Sequence, residues 1–509
     1  MTALSVPITA QAQGPTSEAT TAQATAALEN AEAALAAGPQ ALPDGGLDGG
    51  TPDATVALNQ LSVSYTALEA TDRRRARGLL ARPTDQQADQ YGDGYPSSAP
   101  VGSAESPHFC VYWVNDASRE DAPNLSDANG VADADGIPDY VEAILEIAEY
   151  SYSIEVAPGA LGWAPPKPDR EGCGADPAAH ADIYLKQLGL NGLFGYESPD
   201  PGQGNARSQY GYMVIDDDYS FEEYGYPDPL DPAKVTFAHE FNHLLQQNYD
   251  SLIDVWMFES TATWVENQVY PEIDDYLFYV KSFAANPGRP ITDPVAGRRL
   301  KVYGTAVWNH WLDSGGGDLG VATIRSAWEL GGKVMPRDNA IAAYDEAIFR
   351  AGGKSFPREF ARFAAATAEW RTGFGGFADS DRYPDVKRKG KLLRGDSGST
   401  RLDHTGYRLI DVRATSGGEV ELKVLVDSGV RCAIALVGRS GGIDDGTVEA
   451  TTKYLPKGGK ARLALKSSGS YKRITAVLVN ADGRVSGRDQ RDEWIYSRDG
   501  AKFEFELSR

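Results

Sequence analysis

The chain has 509 residues and a formal net charge of −23, and its isoelectric point lies near 4.7. That excess of carboxylates argues against nucleic acid or an anionic membrane surface as a partner. The length suits two or three domains, and no run approaches the roughly eighteen apolar residues that cross a membrane.

Met1 to Ala12 end in Ala10-Gln11-Ala12, like a signal-peptidase site, but lack the positive start and longer apolar core of a complete export signal. They read as the tail of such a signal or as a vector-derived remnant, with a disordered terminus as the plain alternative. Residues 13–55, rich in Ala, Thr, Gly and Pro, are expected to build no core, although Ala24 to Ala37 suits a helix. Residues 56–104 read as an N-terminal arm or pro-region. Inside them, Arg73-Arg74-Arg75-Ala76-Arg77 is a basic run, taken as a solvated face in preference to a processing site.

A catalytic region is expected over residues 105–395. It opens on the strand-like Phe109-Cys110-Val111-Tyr112-Trp113. Three cysteines, Cys110, Cys173 and Cys432, allow one intrachain disulfide, and Cys110 with Cys173 is the expected pair because both fall in this region. The segment Asp127 to Asp139 then contains two overlapping D-x-[DN]-G-x-x-D units that share Asp133. Oxygen donors at alternate positions, with glycine for the tight turn, are what calcium asks of a loop. The pattern resembles the calcium loops of thrombospondin type 3 repeats and EF-hand-like segments, with Asp127, Asn129, Asp133, Asp135 and Asp139 as candidate ligands. Pro138 stands where a full EF-hand carries its bidentate Glu, leaving Asp139 or Glu142 for that place. An acidic turn capping the following helix is the alternative. Ile183-Tyr184-Leu185 reads as a further strand. Tyr210 to Ile215 alternates weakly and reads either as an edge strand to which a peptide can add by main-chain pairing or as a plain sheet element.

Residues 234–247 continue one helical pattern with no proline between Ala233 and Tyr249, and they contain His239-Glu240-Phe241-Asn242-His243. An accidental HExxH is expected only about 0.005 times in a chain with so few histidines, so the motif is specific. At i and i+4 the two imidazoles leave one helix face one turn apart, as two ligands of one ion require. Glu240 lies beside them as a candidate base. Sixteen positions on, Trp256 to Trp264 carries Glu259. Together these residues resemble the gluzincin metallopeptidases, more closely the secreted hyicolysin-like and related bacterial enzymes, in which a helix of the type WxxExxAxxxxE follows HEFxH. Here that helix supplies Trp256, Glu259, Ala262, Trp264 and Glu266. The resemblance covers about residues 105–330, is sharp over 234–267, and implies that His239, His243 and Glu259 bind zinc while Glu240 is the general base. Many gluzincins place an Asp four residues after the ligand Glu; Thr263 stands there, leaving Thr263 or Glu266 to orient the first histidine. Glu266 as the ligand itself is the less favoured alternative. An oxyanion donor is expected from the run Val302 to Trp311, with Tyr303 favoured over His310.

The pattern stays mainly helical to Arg371, and beyond Gly395 short alternating segments separated by Gly, Ser and Asp suggest a sandwich over residues 396–509. The expected fold is α+β: a zincin-like metalloprotease domain, with a small sheet and a mainly helical lobe, followed by a C-terminal β-sandwich. The expected activity is that of a secreted zinc-dependent endopeptidase acting on a protein or peptide substrate, with Zn2+ at the site and structural Ca2+. The rival is a secreted calcium-binding adhesion or scaffold protein whose protease-like domain is inactive. The intact HExxH and Glu259 weigh against it. An aminopeptidase needs a subsite for the free amine, and no GxMEN-like string is present.

Overall fold

Apolar residues recur at period two and period 3.6 in separate stretches, dividing the chain into a helix-and-sheet part and a β-rich C-terminal part. The computed structural model describes residues 20–36, 54–89, 94–124, 136–167, 173, 180–205, 207–296, 300–413, 418–489 and 492–508, without the side chains of 89 and 201–205.

Helices α1 (Thr21–Ala36), α2 (Ala54–Ser64), α3 (Ala70–Leu79) and the single turn α4 (Gln86–Asp89) come first. A sheet follows, of β1 (Val101–Glu105), β2 (Phe109–Val114), β3 (Ala181–Lys186), β4 (Gly195–Asn205) and β5 (Ser208–Asp216), in the order β1-β2-β3-β5-β4. Strands β2, β3 and β5 run parallel and the two outer strands antiparallel. Helix α5 (Asp139–Glu155) lies in the crossover from β2 to β3. Tyr210 to Ile215 is therefore not an edge: β5 pairs with β3 on one side and with β4 on the other. The unbroken apolar run Tyr212-Met213-Val214-Ile215 is the mark of an interior strand buried on both faces. The outer strands are β1 at one edge and β4 at the other.

The two faces of this sheet have different covers. Val111, Ile183, Met213 and Ile215 enter the main core with α5 and with the later helices. Val114, Tyr184, Tyr212 and Val214 face the other way and are covered by Leu28, Leu58 and Leu61 of α1 and α2. The alanine-rich segment thus does build core, contrary to the expectation from its composition. Ala24, Ala27, Leu28, Ala31 and Ala34 fall on one helical face and are buried, and their small side chains let α1 lie close against α2. In the basic run, Arg75 pairs with Glu32 and Asp72 while Arg73, Arg74 and Arg77 are exposed.

Past the sheet come α6 (Phe221–Tyr224), α7 (Leu230–Gln246), α8 (Val255–Val269), α9 (Tyr276–Ala285), α10 (Lys301–Gly304), α11 (Ala306–Asp313), α12 (Ala322–Leu330), α13 (Ala340–Arg350) and α14 (Phe356–Ala366). The C-terminal part holds β6 (Arg388–Leu393), β7 (Ser397–Leu402), β8 (Tyr407–Arg413), β9 (Val420–Val426), β10 (Cys432–Arg439), β11 (Val448–Leu455), β12 (Gly459–Leu465), β13 (Arg473–Asn480), β14 (Val485–Arg488), β15 (Trp494–Tyr496) and β16 (Ala501–Ser508). These form a five-stranded sheet, β11-β10-β13-β8-β6, a four-stranded sheet, β12-β9-β16-β7, and a β14-β15 hairpin. Ile434, Leu436 and Leu478 share a core with Leu422, Val424 and Phe503 of the four-stranded sheet. Their neighbours Ala433, Ala435, Val437, Val477 and Val479 turn the other way and join the main core. The helical and β-rich parts are thereby continuous in apolar packing.

Cys110 and Cys173 are disulfide-bonded, the pair expected from the sequence, and Cys432 is free and buried. Among the described residues no helix is long and apolar enough to cross a membrane. Asp127, Asn129, Asp133 and Asp135 lie outside the described residues, while Asp139 is the first residue of α5.

Candidate metal centre

Seventeen residues of unbroken helix in α7 carry His239, Glu240 and His243, and α8 packs against them with Glu259 and Glu266. One ligand-type atom from each of His239, His243 and Glu259 lies within 4.8 Å of the others. Glu259 Oε2 is 3.3 Å from His239 Nε2 and 3.7 Å from His243 Nε2. A tetrahedral zinc with bonds of ~2.0–2.1 Å has edges of about 3.3 Å, so these spacings suit three corners around one ion. His243 Nε2 and both oxygens of Glu259 are buried and without a hydrogen-bond partner. Atoms left in that state are costly unless something else satisfies them, and a cation among two imidazoles and a carboxylate does so. The donor set therefore fits zinc.

The far nitrogens of both imidazoles are held. His239 Nδ1 is 2.6 Å from Glu266 Oε1, and His243 Nδ1 is 2.8 Å from Gln246 Oε1. Gln246 is fixed in turn, donating from Nε2 to Asn242 Oδ1 at 2.7 Å and to the Phe258 carbonyl at 3.2 Å. Asn242 Nδ2 donates to Glu155 Oε2 at 3.0 Å. Such contacts orient each ring so that Nε2 faces the other two donor atoms of the cluster. Glu266 therefore sits behind His239 and not among the converging atoms. Thr263 Oγ1 has no hydrogen-bond partner.

Burial and charge act in opposite directions here. Burial pushes Glu259 up, but the adjacent imidazoles of His243 and His239 outweigh it and bring the carboxyl down to about 2, so it is ionised. Burial pulls His239 down, and the adjoining carboxylates of Glu259 and Glu266 more than reverse this. The interior Glu155, which accepts from Asn242, is held well above the usual carboxylate range by burial.

Glu240 projects beside the cluster, and its Oε2 accepts a hydrogen bond from Thr55 Oγ1 at 2.9 Å. Strand β4 passes over this turn: a Cβ placed on Gly195 would stand 3.3 Å from Glu240 Cγ. The Tyr303 ring lies 6.0 Å from that of His239, centroid to centroid, and stacks on Tyr279. His310 lies instead against Tyr276, and burial lowers it to about 4. Of the two downstream candidates, Tyr303 is thus the one at the cluster. A second acidic group, Asp216-Asp217-Asp218, also clusters, but Asp216 spends its oxygens on the backbone N–H groups of Leu188, Gly189, Asp218 and Tyr219.

Sequence reading missed Thr55, Gln246, Asn242 and Glu155. Gln246 is three residues past His243 and four past Asn242 on the same helix, spacings that signal both contacts; Thr55 and Glu155 carry no local signal.

No family model matches this chain, and no curated protein matches it. Among solved structures, the pre-peptidase C-terminal domain of a collagenase from Bacillus anthracis is similar over 25% of this chain and 100% of that one, at 7% identity and a TM-score of 0.17. A family 16 carbohydrate binding module-2 is similar over 21% of this chain and 74% of that one, at 8% identity and a TM-score of 0.14.

Proposed function

We propose that this chain is a secreted zinc-dependent endopeptidase of gluzincin type, with a zincin-like catalytic part ahead of a β-sandwich. The observation that carries the reading is the convergence of His239 Nε2, His243 Nε2 and Glu259 Oε2, with both Nδ1 atoms anchored behind. The Cys110–Cys173 disulfide supports an oxidising, extracellular setting.

His239, His243 and Glu259 hold the ion, and when bound it supplies Lewis-acid activation of a water and of the scissile carbonyl. Glu240 takes the proton of the attacking water and delivers it to the departing amine. Tyr303 donates to the oxyanion from its place beside His239. Strand β4, the outer strand above Glu240, aligns an extended substrate by main-chain pairing once that edge is accessible. Calcium is proposed as a structural ion in the loop that ends at Asp139, held by Asp127, Asn129, Asp133, Asp135 and Asp139.

The test is zinc content together with digestion of an unfolded protein such as casein, with and without a chelator. Glu240→Gln should keep stoichiometric zinc and the fold yet lose on the order of 10²-fold or more in turnover. Zinc-loaded parent protein that cuts no peptide bond once its site is accessible would refute the activity.

A further inference from the structure

Helix α2 carries a polar stripe at a place where a core helix ordinarily carries aliphatic side chains. Thr55, Asn59 and Ser62 occupy one face, and Thr55 is only 2% exposed. Its adjoining apolar face, Ala54, Ala57, Leu58 and Leu61, packs with α1 and with the sheet face turned away from α7. The helix therefore wraps from the back of the sheet, around β4, to the metal cluster.

At that edge Thr55 makes two bonds with one hydroxyl. Its Oγ1 donates to Glu240 Oε2 at 2.9 Å and accepts the Glu197 N–H at 2.9 Å. The second partner is specific. Asp216 N donates to the Phe194 carbonyl, and the register pairs Gly195 with Ile215 and Glu197 with Met213. In an antiparallel pair the bonded and non-bonded positions alternate, so the Glu197 N–H points away from β5, out of the β4 edge of the sheet. It is a donor that β4 has free for an incoming strand, and Thr55 occupies it. One turn on, Asn59 donates to the Ser251 carbonyl at 2.9 Å and accepts from Gln209 Nε2 at 3.1 Å, and Ser62 bonds Gln209. Each of these bonds spans more than 140 residues of sequence.

We propose that the α1–α2 segment is a built-in plug that keeps the metal centre latent: Thr55 engages the general base and the substrate-pairing edge together, and activity requires that α2 be displaced or cut away. This rests on the peptidase reading given above, whose chemistry takes place at the same Glu240. It extends that reading to regulation, because a peptide cannot lie along β4 and reach Glu240 while Thr55 sits between them.

The test uses full-length protein with its zinc content measured first, and a small peptidyl hydroxamate as a zinc-directed probe. Leu58→Asp places a carboxylate in the apolar face of α2 and should undock it. Hydroxamate affinity should rise at least ten-fold over the parent, and cleavage of a quenched fluorescent peptide should rise with it. In unaltered protein, hydrogen exchange across residues 54–64 should speed up when the hydroxamate is saturating, since probe and helix compete for one place. That second measurement holds even if Leu58→Asp folds poorly. Equal affinity in parent and variant, or unchanged exchange in α2 on binding, overturns the plug. Higher affinity and faster exchange without any peptide cleavage would keep the plug and sink the peptidase reading, whereas absence of bound zinc would sink both.

Discussion

Glu259 and Glu266 lie seven residues apart on α8, yet they meet opposite nitrogens of the same imidazole. That split predicts different variants. Glu259→Ala should leave the chain without stoichiometric zinc, because it removes one of three corners. Glu266→Gln should still hold the ion, with affinity weaker by about 10–100-fold, as loss of a contact behind a ligand typically does. Metal titration against a competing chelator separates the two; a Glu266→Ala protein that is empty while Glu259→Ala is full would reverse the roles. A pH effect belongs to Glu197, whose carboxyl is pushed up to about 8 by burial, against about 4.3 for an ordinary glutamate. Between those values the folded chain keeps a proton that the unfolded chain has released, so stability falls as pH rises through that window. Glu197→Gln lacks this slope and can still accept from Gln247, the partner at 3.0 Å. Its stability relative to the parent should therefore grow from pH 5 to pH 8 by more than about 1 kcal/mol, one pKa unit being worth about 1.36 kcal/mol. Denaturant midpoints of both proteins at the two pH values decide it, and a constant difference would count against a buried, late-titrating Glu197.

Among the elements, α5 reaches the centre through its last residue. Asp139 heads it, its apolar face packs in the main core, and Glu155 at its other end receives Asn242 of α7. On the proposed calcium reading, Asp127, Asp133 and Asp135 share one ion, so calcium should stabilise the fold by mass action. Calcium titrated into zinc-loaded protein should raise the melting temperature, and an Asp133→Ala/Asp135→Ala double variant should respond much less. Equal responses would return this segment to an acidic helix cap. The elements also show why a correct strand reading misplaced the edge. Tyr210 to Ile215 is a strand, but whether a strand is interior or outer depends on β4 arriving beside it.

Across the whole molecule, the β-rich part is tied to the helical part by apolar packing and by one buried ionic hub. Glu369 Oε2 accepts from Arg439 Nε at 2.8 Å, with Arg388 and Arg473 at 3.5 and 3.7 Å from its other oxygen. Both members of the closest pair are almost wholly buried. Removing one partner strands the other charge, so Glu369→Ala should cost about 3–5 kcal/mol by urea unfolding. A change below ~1 kcal/mol would mean that the apolar seam alone joins the two parts. The seam has a second contact, where His404 lies between Asp499 at 2.7 Å and Thr292 at 2.6 Å.

Local periodicity determined what could be read from the sequence alone. A four-residue helical spacing is enough to set His239 and His243 on one face, a short apolar run marks β2, and alternation with Gly and Ser turns marks the C-terminal strands, because these signals depend only on neighbours along the chain. Cys110 and Cys173 were matched by their shared region. What the tertiary structure alone decided depends on pairings that no window contains. The outer place of β4, the burial of an alanine-rich helix read as coreless, the chain of contacts from His243 to Glu155, and the hydroxyl of Thr55 on Glu240 from 185 residues away all arise from packing between distant segments. Composition cannot foretell them, since a threonine or an alanine bears the same local propensity whether its neighbour in space is water or the base of a metal site.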